Sequence, residues 1–117
     1  MADRMYAGVK ALIERDGEYL FVGYKLGGEM LWIPPGGRLE HGESPIEGLK
    51  REVKGEVSLD IEPGEPVGMY HFFIGEDDEG EQVTLTVFEI ESFSGEVDMD
   101  TEHADEDELE DFRWMTP

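Results

Sequence analysis

The stretch at residues 36–59, GGRLEHGESPIEGLKREVKGEVSL, constrains the fold more than any other part of the chain. Ser44 suits the N-cap of a helix, a proline follows at the first helical position, and Glu47 at the third position completes a capping box. Apolar residues then recur every three to four positions, which is typical of a helix that buries one face. The pattern predicts a helix over residues 45–54 and a strand over residues 56–61.

Two glutamates lie on the other face of this helix. Glu52 and Glu56 are four residues apart and therefore stack one turn above the other. Stacked carboxylates repel each other, and a divalent cation would turn that repulsion into binding because hard cations take oxygen ligands. An acidic amphipathic helix without a ligand is the alternative, since Asp and Glu make up 30 of 117 residues. Gly55 weakens the end of the helix and could move Glu56 off helical geometry.

The rest of the chain reads as strands joined by turns. Asp16-Gly17 predicts a tight hairpin, residues 62–66 a turn-rich link and residues 76–81 the acidic turn of a second hairpin. Residues 96–111 contain ten acidic residues, and we expect a solvated loop there. The predicted strands cover residues 6–14, 18–24, 31–33, 67–75, 83–90 and 112–114, with a brief extended piece at residues 38–39.

The helical stretch resembles the signature of the Nudix (MutT-like) hydrolases, G-x5-E-x7-R-E-U-x-E-E-x-G-U, where U is aliphatic. Gly55 and Ser58 depart from it, standing where glutamate and glycine are usual. Seven of the nine defined positions match in register: Gly37, Glu43, Arg51, Glu52, Val53, Glu56 and Leu59. The resemblance implies an α+β protein with the Nudix fold, in which a mixed β-sheet carries the Nudix helix in an α/β/α sandwich. We expect one domain over residues 1–117.

The last strand is similar to the one that precedes a C-terminal helix in this family. After residues 112–114 the chain continues only as Met115-Thr116-Pro117, so we expect this helix to be missing. Its absence would leave an apolar sheet face for a partner subunit to cover, which favours a homodimer over a monomer.

The resemblance also implies a reaction and a cofactor. Water would attack a nucleoside diphosphate linked to another group X, and Mg²⁺ (or Mn²⁺) would neutralise the diphosphate. By this resemblance Glu56 is a metal ligand. Glu52 is a second metal ligand, the general base, or both. Glu43 and Arg51 match a supporting pair in which the guanidinium orients the helix carboxylates.

Further site residues follow from the resemblance less specifically. A late-loop metal ligand is expected several residues before Trp114, and we choose Glu108, although Glu106 or Glu110 would serve nearly as well. His103 is either a base on that loop or simply solvated.

Substrate contacts are expected before the helix and on the aromatic strands. Gly37 permits close approach of a ligand, and Arg38 either meets a phosphate oxygen or is a solvated surface residue. We interpret Tyr70 and Phe72 as core residues in preference to base-stacking ones.

Two alternatives to this function stay open. The subgroup of GDP-mannose mannosyl hydrolases also lacks the middle glutamate and keeps Gly-Gly-Arg before the helix, but its catalytic histidine falls at Leu109 here and it often lacks the glutamate at position 52. In that subgroup water attacks the sugar carbon, whereas Glu52 favours attack on phosphorus. A catalytically impaired Nudix-fold binding module is the second alternative, which Gly55 and Ser58 support.

The net charge of −21, with only four lysines, bounds the partners and the surroundings. Such a field repels nucleic acid and anionic membranes, so we expect a nucleotide or nucleotide sugar as the partner instead. The composition is similar to that of proteins from salt-loving microbes, in whose cytoplasm the repulsion is screened. The chain has no cysteine, no apolar run of roughly 20 residues and no signal-peptide pattern, which favours a cytoplasmic protein.

Overall fold

The computed structural model describes residues 4–74 and 80–116. Ten elements follow one another in this part of the chain: β1 (Arg4–Leu12), β2 (Glu14–Arg15), β3 (Glu18–Leu26), β4 (Glu29–Ile33), β5 (Gly36–Arg38), α1 (Pro45–Val57), β6 (Asp60–Ile74), β7 (Glu81–Ser94), α2 (Glu102–Glu106) and β8 (Asp111–Met115). No helix within these residues is long and apolar enough to cross a membrane.

The strands form two sheets. The first has the order β5-β1-β7-β6 and is mixed, because β1 runs parallel to β7 and antiparallel to β5. The second sheet is built on β3, which pairs antiparallel with β2, β4 and β8. The predicted hairpin is confirmed, since Arg15 pairs with Glu18 across the Asp16-Gly17 turn. The long β6–β7 pair is antiparallel, as the second predicted hairpin requires.

Helix α1 supplies one wall of the core. Leu49, Val53 and Val57 are fully buried on its apolar face, and each such side chain contributes on the order of 2 kcal/mol on burial. The helix packs against β1, β5, β6 and α2. The other buried members of the core are Val9, Ala11, Ile13, Leu20, Val22, Leu59, Ile61, Phe88 and Ile90. The expectation of an α+β fold with a mixed sheet and one main helix is confirmed.

The helix is longer than its sequence predicts. It continues through Gly55 to Val57, and Ser58 forms the C-cap with a φ of 65° and donates its N–H to the carbonyl of Lys54 at 3.1 Å. The expected strand at residues 56–61 is therefore wrong at its start, since β6 begins at Asp60. Burial of Val57 extends the helix past the glycine, because packing outweighs the roughly 1 kcal/mol propensity cost of glycine.

Residues 62–66 are also strand, where a turn-rich link was expected. They belong to β6, whose register against β7 shifts three times between Glu62 and Gly68. Strand β6 is at the edge of its sheet, where prolines without an N–H are tolerated at bulges. Residues 76–79 of the acidic turn predicted at 76–81 are outside the described residues, as is residue 75, the end of the strand expected at 67–75.

The expected solvated loop at residues 96–111 contains the short helix α2. Thr101 is its N-cap and accepts a hydrogen bond from the N–H of Ala104, which is buried against the body of the protein. The acidic composition predicted no helix here, although threonine is a favoured N-cap residue. The strand after it, β8, confirms the strand predicted at residues 112–114.

Candidate metal centre

Helix α1 brings its two stacked glutamates into the interior. Glu52 is 6% exposed and Glu56 is 3% exposed, and neither is displaced by Gly55 because the helix is regular there. The N–H of Gly36 donates to Glu56 Oε1 at 2.9 Å. Burial raises the pKa of Glu56 to about 8, although the Gly36 hydrogen bond and the charge of Lys10 act in the opposite direction. A second cation near this carboxyl would offset that desolvation.

Helix α2 adds two donors to the same place. His103 Nε2 lies 2.9 Å from Glu52 Oε2 and 3.1 Å from Asp107 Oδ2. Glu52, Glu56, His103 and Asp107 each offer one ligand atom, and these atoms all lie within 4.8 Å of one another. Three carboxylates and an imidazole are a donor set that fits a divalent cation, and the carboxylates are the part of it that suits Mg²⁺ or Mn²⁺.

Glu108, the residue favoured from the sequence as the late-loop ligand, is not part of this group. It is exposed, with a φ of 58°, whereas its neighbour Asp107 is in the group. His103 and Asp107 are four residues apart, the spacing that singled out Glu52 and Glu56. This spacing would have indicated His103 and Asp107 from the sequence if a helix had been predicted in the acidic segment.

Arg51 holds the glutamates in position. Its guanidinium forms a bidentate pair with Glu43, with Nε at 2.7 Å from Oε2 and Nη2 at 3.0 Å from Oε1. Its Nη1 donates to Glu52 Oε1 at 3.0 Å. The hydrogen bonds from Arg51 lower the pKa of Glu43 to about 2, and Glu43 in turn raises the pKa of Arg51. These are the contacts that a supporting pair would make, because they fix one oxygen of Glu52.

Strand β5 brings backbone close to the glutamates. A Cβ on Gly37 would collide with the carboxylate of Glu52, and a Cβ on Gly36, whose φ is 147°, would collide with the carbonyl of Val9. The absence of a side chain at Gly37 therefore lets β5 approach α1, and its absence at Gly36 lets β5 approach β1.

The grouped side chains open onto a cleft of about 560 Å³. Arg38 lines this cleft, with its guanidinium 3.8 Å from the ring centre of Tyr6 and 3.4 Å from Glu81 Oε1. Lys10 lines it too, although the sequence analysis did not single it out. Burial lowers the pKa of Lys10, and the charges of Glu56 and Glu52 oppose that shift. The sequence feature that could have indicated Lys10 is its position inside an otherwise apolar strand.

A second, mostly apolar cleft of about 640 Å³ adjoins the first and shares Lys10 and Ile33 with it. Tyr70 and Phe72 line this second cleft and are both exposed. Their interpretation as core residues is therefore wrong. They lie on the edge strand β6, which pairs only with β7 among the strands that the structure describes.

The mixed sheet, the main helix and the carboxylate group beside a cleft define an α+β protein with a candidate divalent-metal centre. Residues 4–117 match the family model of the NUDIX domain, and the chain belongs to the Nudix family. The family resemblance and the Nudix fold expected from the sequence are confirmed, and the protein is a Nudix hydrolase.

Solved structures agree with this assignment. The Escherichia coli ORF135 protein is 26% identical with a TM-score of 0.78, covering 98% of this chain and 76% of its own. The MutT protein of Methanosarcina mazei Go1 is 24% identical with a TM-score of 0.77, covering 99% of this chain and 80% of its own. An ADP-ribose pyrophosphatase from Streptococcus suis is 18% identical with a TM-score of 0.64, covering 95% and 73%. A search of curated proteins finds no match.

Proposed function

We propose that this protein is a divalent-metal-dependent hydrolase of nucleoside diphosphates linked to another group X, either a nucleotide or a nucleotide sugar. The observation that carries this proposal is the buried group of Glu52, Glu56, His103 and Asp107 at the edge of a cleft. The Streptococcus suis relative is named as an ADP-ribose pyrophosphatase, and ADP-ribose belongs to the same substrate class.

The residues of the group would hold the cation, and Glu108 gives way to Asp107 in this role. A bound Mg²⁺ or Mn²⁺ would neutralise diphosphate charge and polarise a phosphoryl oxygen, which makes the attacked phosphorus more electrophilic. Glu52 is the general base that accepts a proton from the attacking water. Arg51 fixes Oε1 of Glu52 at 3.0 Å, so the carboxylate keeps one orientation, and Glu43 fixes Arg51 in turn.

The substrate must bring its negative charge into a protein with a net charge of −21. Arg38 and Lys10 supply positive charge on the wall of the cleft, and Gly37 lines the same wall without a side chain that would narrow the cleft. The base or the X group would then occupy the adjoining apolar cleft, where the exposed ring of Tyr70 offers a stacking surface.

Attack on phosphorus is favoured over attack on a sugar carbon. A GDP-mannose-type glycosyl hydrolase would need a histidine at Leu109, and that apolar residue lines the cleft here. Glu52, by contrast, is buried beside the other donors and oriented by Arg51. The catalytically impaired binding module is disfavoured by the same group, since a module that only binds has no need of an oriented general base.

The test is a panel of nucleotides and nucleotide sugars, incubated in molar KCl and heavy-oxygen water with Mg²⁺, with Mn²⁺ or with a chelator. We expect hydrolysis of at least one diphosphate compound only when a cation is present, with the label in a released phosphate product. Label found only on the sugar would contradict attack on phosphorus and support the glycosyl hydrolase alternative. Binding of a compound without turnover under any cation would instead support the impaired module.

We also propose that the protein is adapted to high salt, and expect its melting temperature to rise with KCl. Screening relieves repulsion among the acidic residues because the Debye length falls to about 3 Å at 1 M. A rise of at least about 5 °C between low and molar salt, roughly 1 kcal/mol for a domain of this size, is the expected result. Melting followed by circular dichroism measures it. The same series near pH 4, where about half of the carboxylates are protonated and the net charge is close to zero, is the control and should be nearly flat. A flat or falling series at neutral pH would contradict the adaptation.

The remaining features of the environment are part of the same proposal. A cytoplasmic location, a homodimer and the lack of nucleic-acid or membrane partners stay predictions. The exposed apolar side chains of β6, among them Val67, Met69 and Phe73, support the homodimer because such a patch is commonly covered in solution.

A further inference from the structure

His103 fills the space that a side chain at position 55 would occupy. A Cβ built on Gly55 would lie 2.5 Å from His103 Nδ1 and 2.7 Å from its Cγ, which is closer than any real contact. The ring of His103 therefore packs directly on the bare backbone of α1, between the positions of Glu52 and Glu56. The residue at which this chain departs from the glutamate of the family signature is the residue that admits the imidazole.

Helix α2, which carries His103, also contacts Gly55. Thr101 Oγ1 donates to the carbonyl oxygen of Gly55 at 2.7 Å and also caps α2 by accepting the N–H of Ala104 at 2.9 Å. Ala104 is buried, so α2 is fixed by packing as well as by these hydrogen bonds. His103 is 27% exposed and is held between Glu52 and Asp107. Its position follows from several independent contacts and does not depend on one rotamer.

We propose that His103 replaces the missing box glutamate as a metal ligand, so that this centre binds its cation through nitrogen as well as oxygen. This inference rests on the proposed function only in requiring a cation at the group of Glu52, Glu56, His103 and Asp107. Imidazole binds first-row transition-metal ions with an affinity that rises from Mn²⁺ to Co²⁺, whereas Mg²⁺ prefers an all-oxygen shell. The exchange of a carboxylate for an imidazole therefore shifts the preference of the centre from Mg²⁺ towards Mn²⁺ and Co²⁺.

The competing role for His103 is that of a positioning residue that only hydrogen-bonds Glu52. The two roles predict different metal profiles. A ligand affects the affinity for Mn²⁺ and Co²⁺ more than that for Mg²⁺, and it alters the electronic spectrum of bound Co²⁺. A residue that only positions Glu52 affects all three ions by the same factor, because it acts through a carboxylate that they share.

The experiment measures metal binding to the chelator-treated protein by titration calorimetry, without substrate, for Mg²⁺, Mn²⁺ and Co²⁺. We expect His103→Gln to weaken Mn²⁺ and Co²⁺ binding by at least about tenfold, a loss reached even by outer-shell partners of metal ligands. Mg²⁺ binding should change by less than about threefold. His41→Gln, at an exposed histidine outside the group, is the matched control and should leave all three affinities unchanged.

A second variant reverses the exchange. Gly55→Glu combined with His103→Ala should bind Mg²⁺ more tightly than His103→Ala alone, and should lose the Co²⁺ absorption spectrum of the parent. If His103→Gln leaves Mn²⁺ and Co²⁺ binding unchanged, or weakens all three ions equally, the proposal is overturned, even where the protein hydrolyses its substrate. If the ions bind as expected but no compound is hydrolysed, the proposed function fails and this inference stands.

Discussion

Glu56→Gln is expected to remove most of the metal-dependent hydrolysis while the fold stays intact. The side chain is buried in the donor group, and an amide cannot supply the negative charge that a divalent cation requires. The Gly36 N–H can still donate to the amide oxygen, so the local structure has no reason to change. Steady-state hydrolysis at ordinary metal concentration measures the loss. Full activity would eliminate the proposed centre.

The same variant has a stability signature that separates loss of charge from loss of fold. In the metal-free protein, burial raises the Glu56 pKa from 4.5 to about 8. Between these pH values the folded protein keeps the proton and the unfolded chain has lost it, so the free energy of unfolding falls as pH rises. Each pKa unit is worth about 1.4 kcal/mol, which makes the total penalty on the order of a few kcal/mol.

Glu56→Gln carries no such penalty, because glutamine is neutral at every pH. Urea unfolding in the presence of a chelator should therefore show the variant more stable than the parent at pH 8, with the difference shrinking towards pH 5. Glu65→Gln, at an exposed glutamate on β6, is the control and should follow the parent. A variant less stable than the parent at pH 8 would mean that the buried charge is already compensated without a metal.

Glu52→Gln is the second variant with a large expected effect. A general base contributes about 100- to 10,000-fold to turnover, so kcat should fall within that range. Arg51 and His103 contact the two oxygens of Glu52, and an amide can accept at only one of its ends. The variant therefore keeps an acceptor for only one of these two contacts. Single-turnover hydrolysis at saturating substrate isolates the chemical step, and undiminished turnover would remove Glu52 from the role of base.

Local patterns in the sequence were sufficient for the part of the fold that carries the glutamates. The capping box at Ser44 and the apolar period defined where α1 begins, and the spacing of Glu52 and Glu56 placed both on one face. The predictions that were wrong, such as the end of α1, depended on contacts between segments that are distant in the sequence. Burial of Val57 against the core carried the helix beyond Gly55, and no local pattern reports such packing.

The acidic segment shows the same limit at the site itself. Its composition predicted a solvated loop, yet Ala104 is buried and Thr101 reaches Gly55 across 46 residues of sequence. His103 and Asp107 therefore join the glutamates through a tertiary contact that a count of acidic residues could not reveal. Glu108, the residue chosen from the sequence, lies one position from Asp107, which is in the donor group, because the direction of a side chain depends on the helix that precedes it.

The packing of His103 on Gly55 restricts the order in which substitutions can accumulate in this lineage. A side chain added at position 55 would strike the imidazole, so it could be fixed only after position 103 had become small or α2 had moved away. The reverse route is equally ordered, since a histidine at position 103 could enter only after position 55 had lost its side chain. The two positions are thus expected to change in concert among descendants, with a glycine as the obligatory intermediate in either direction.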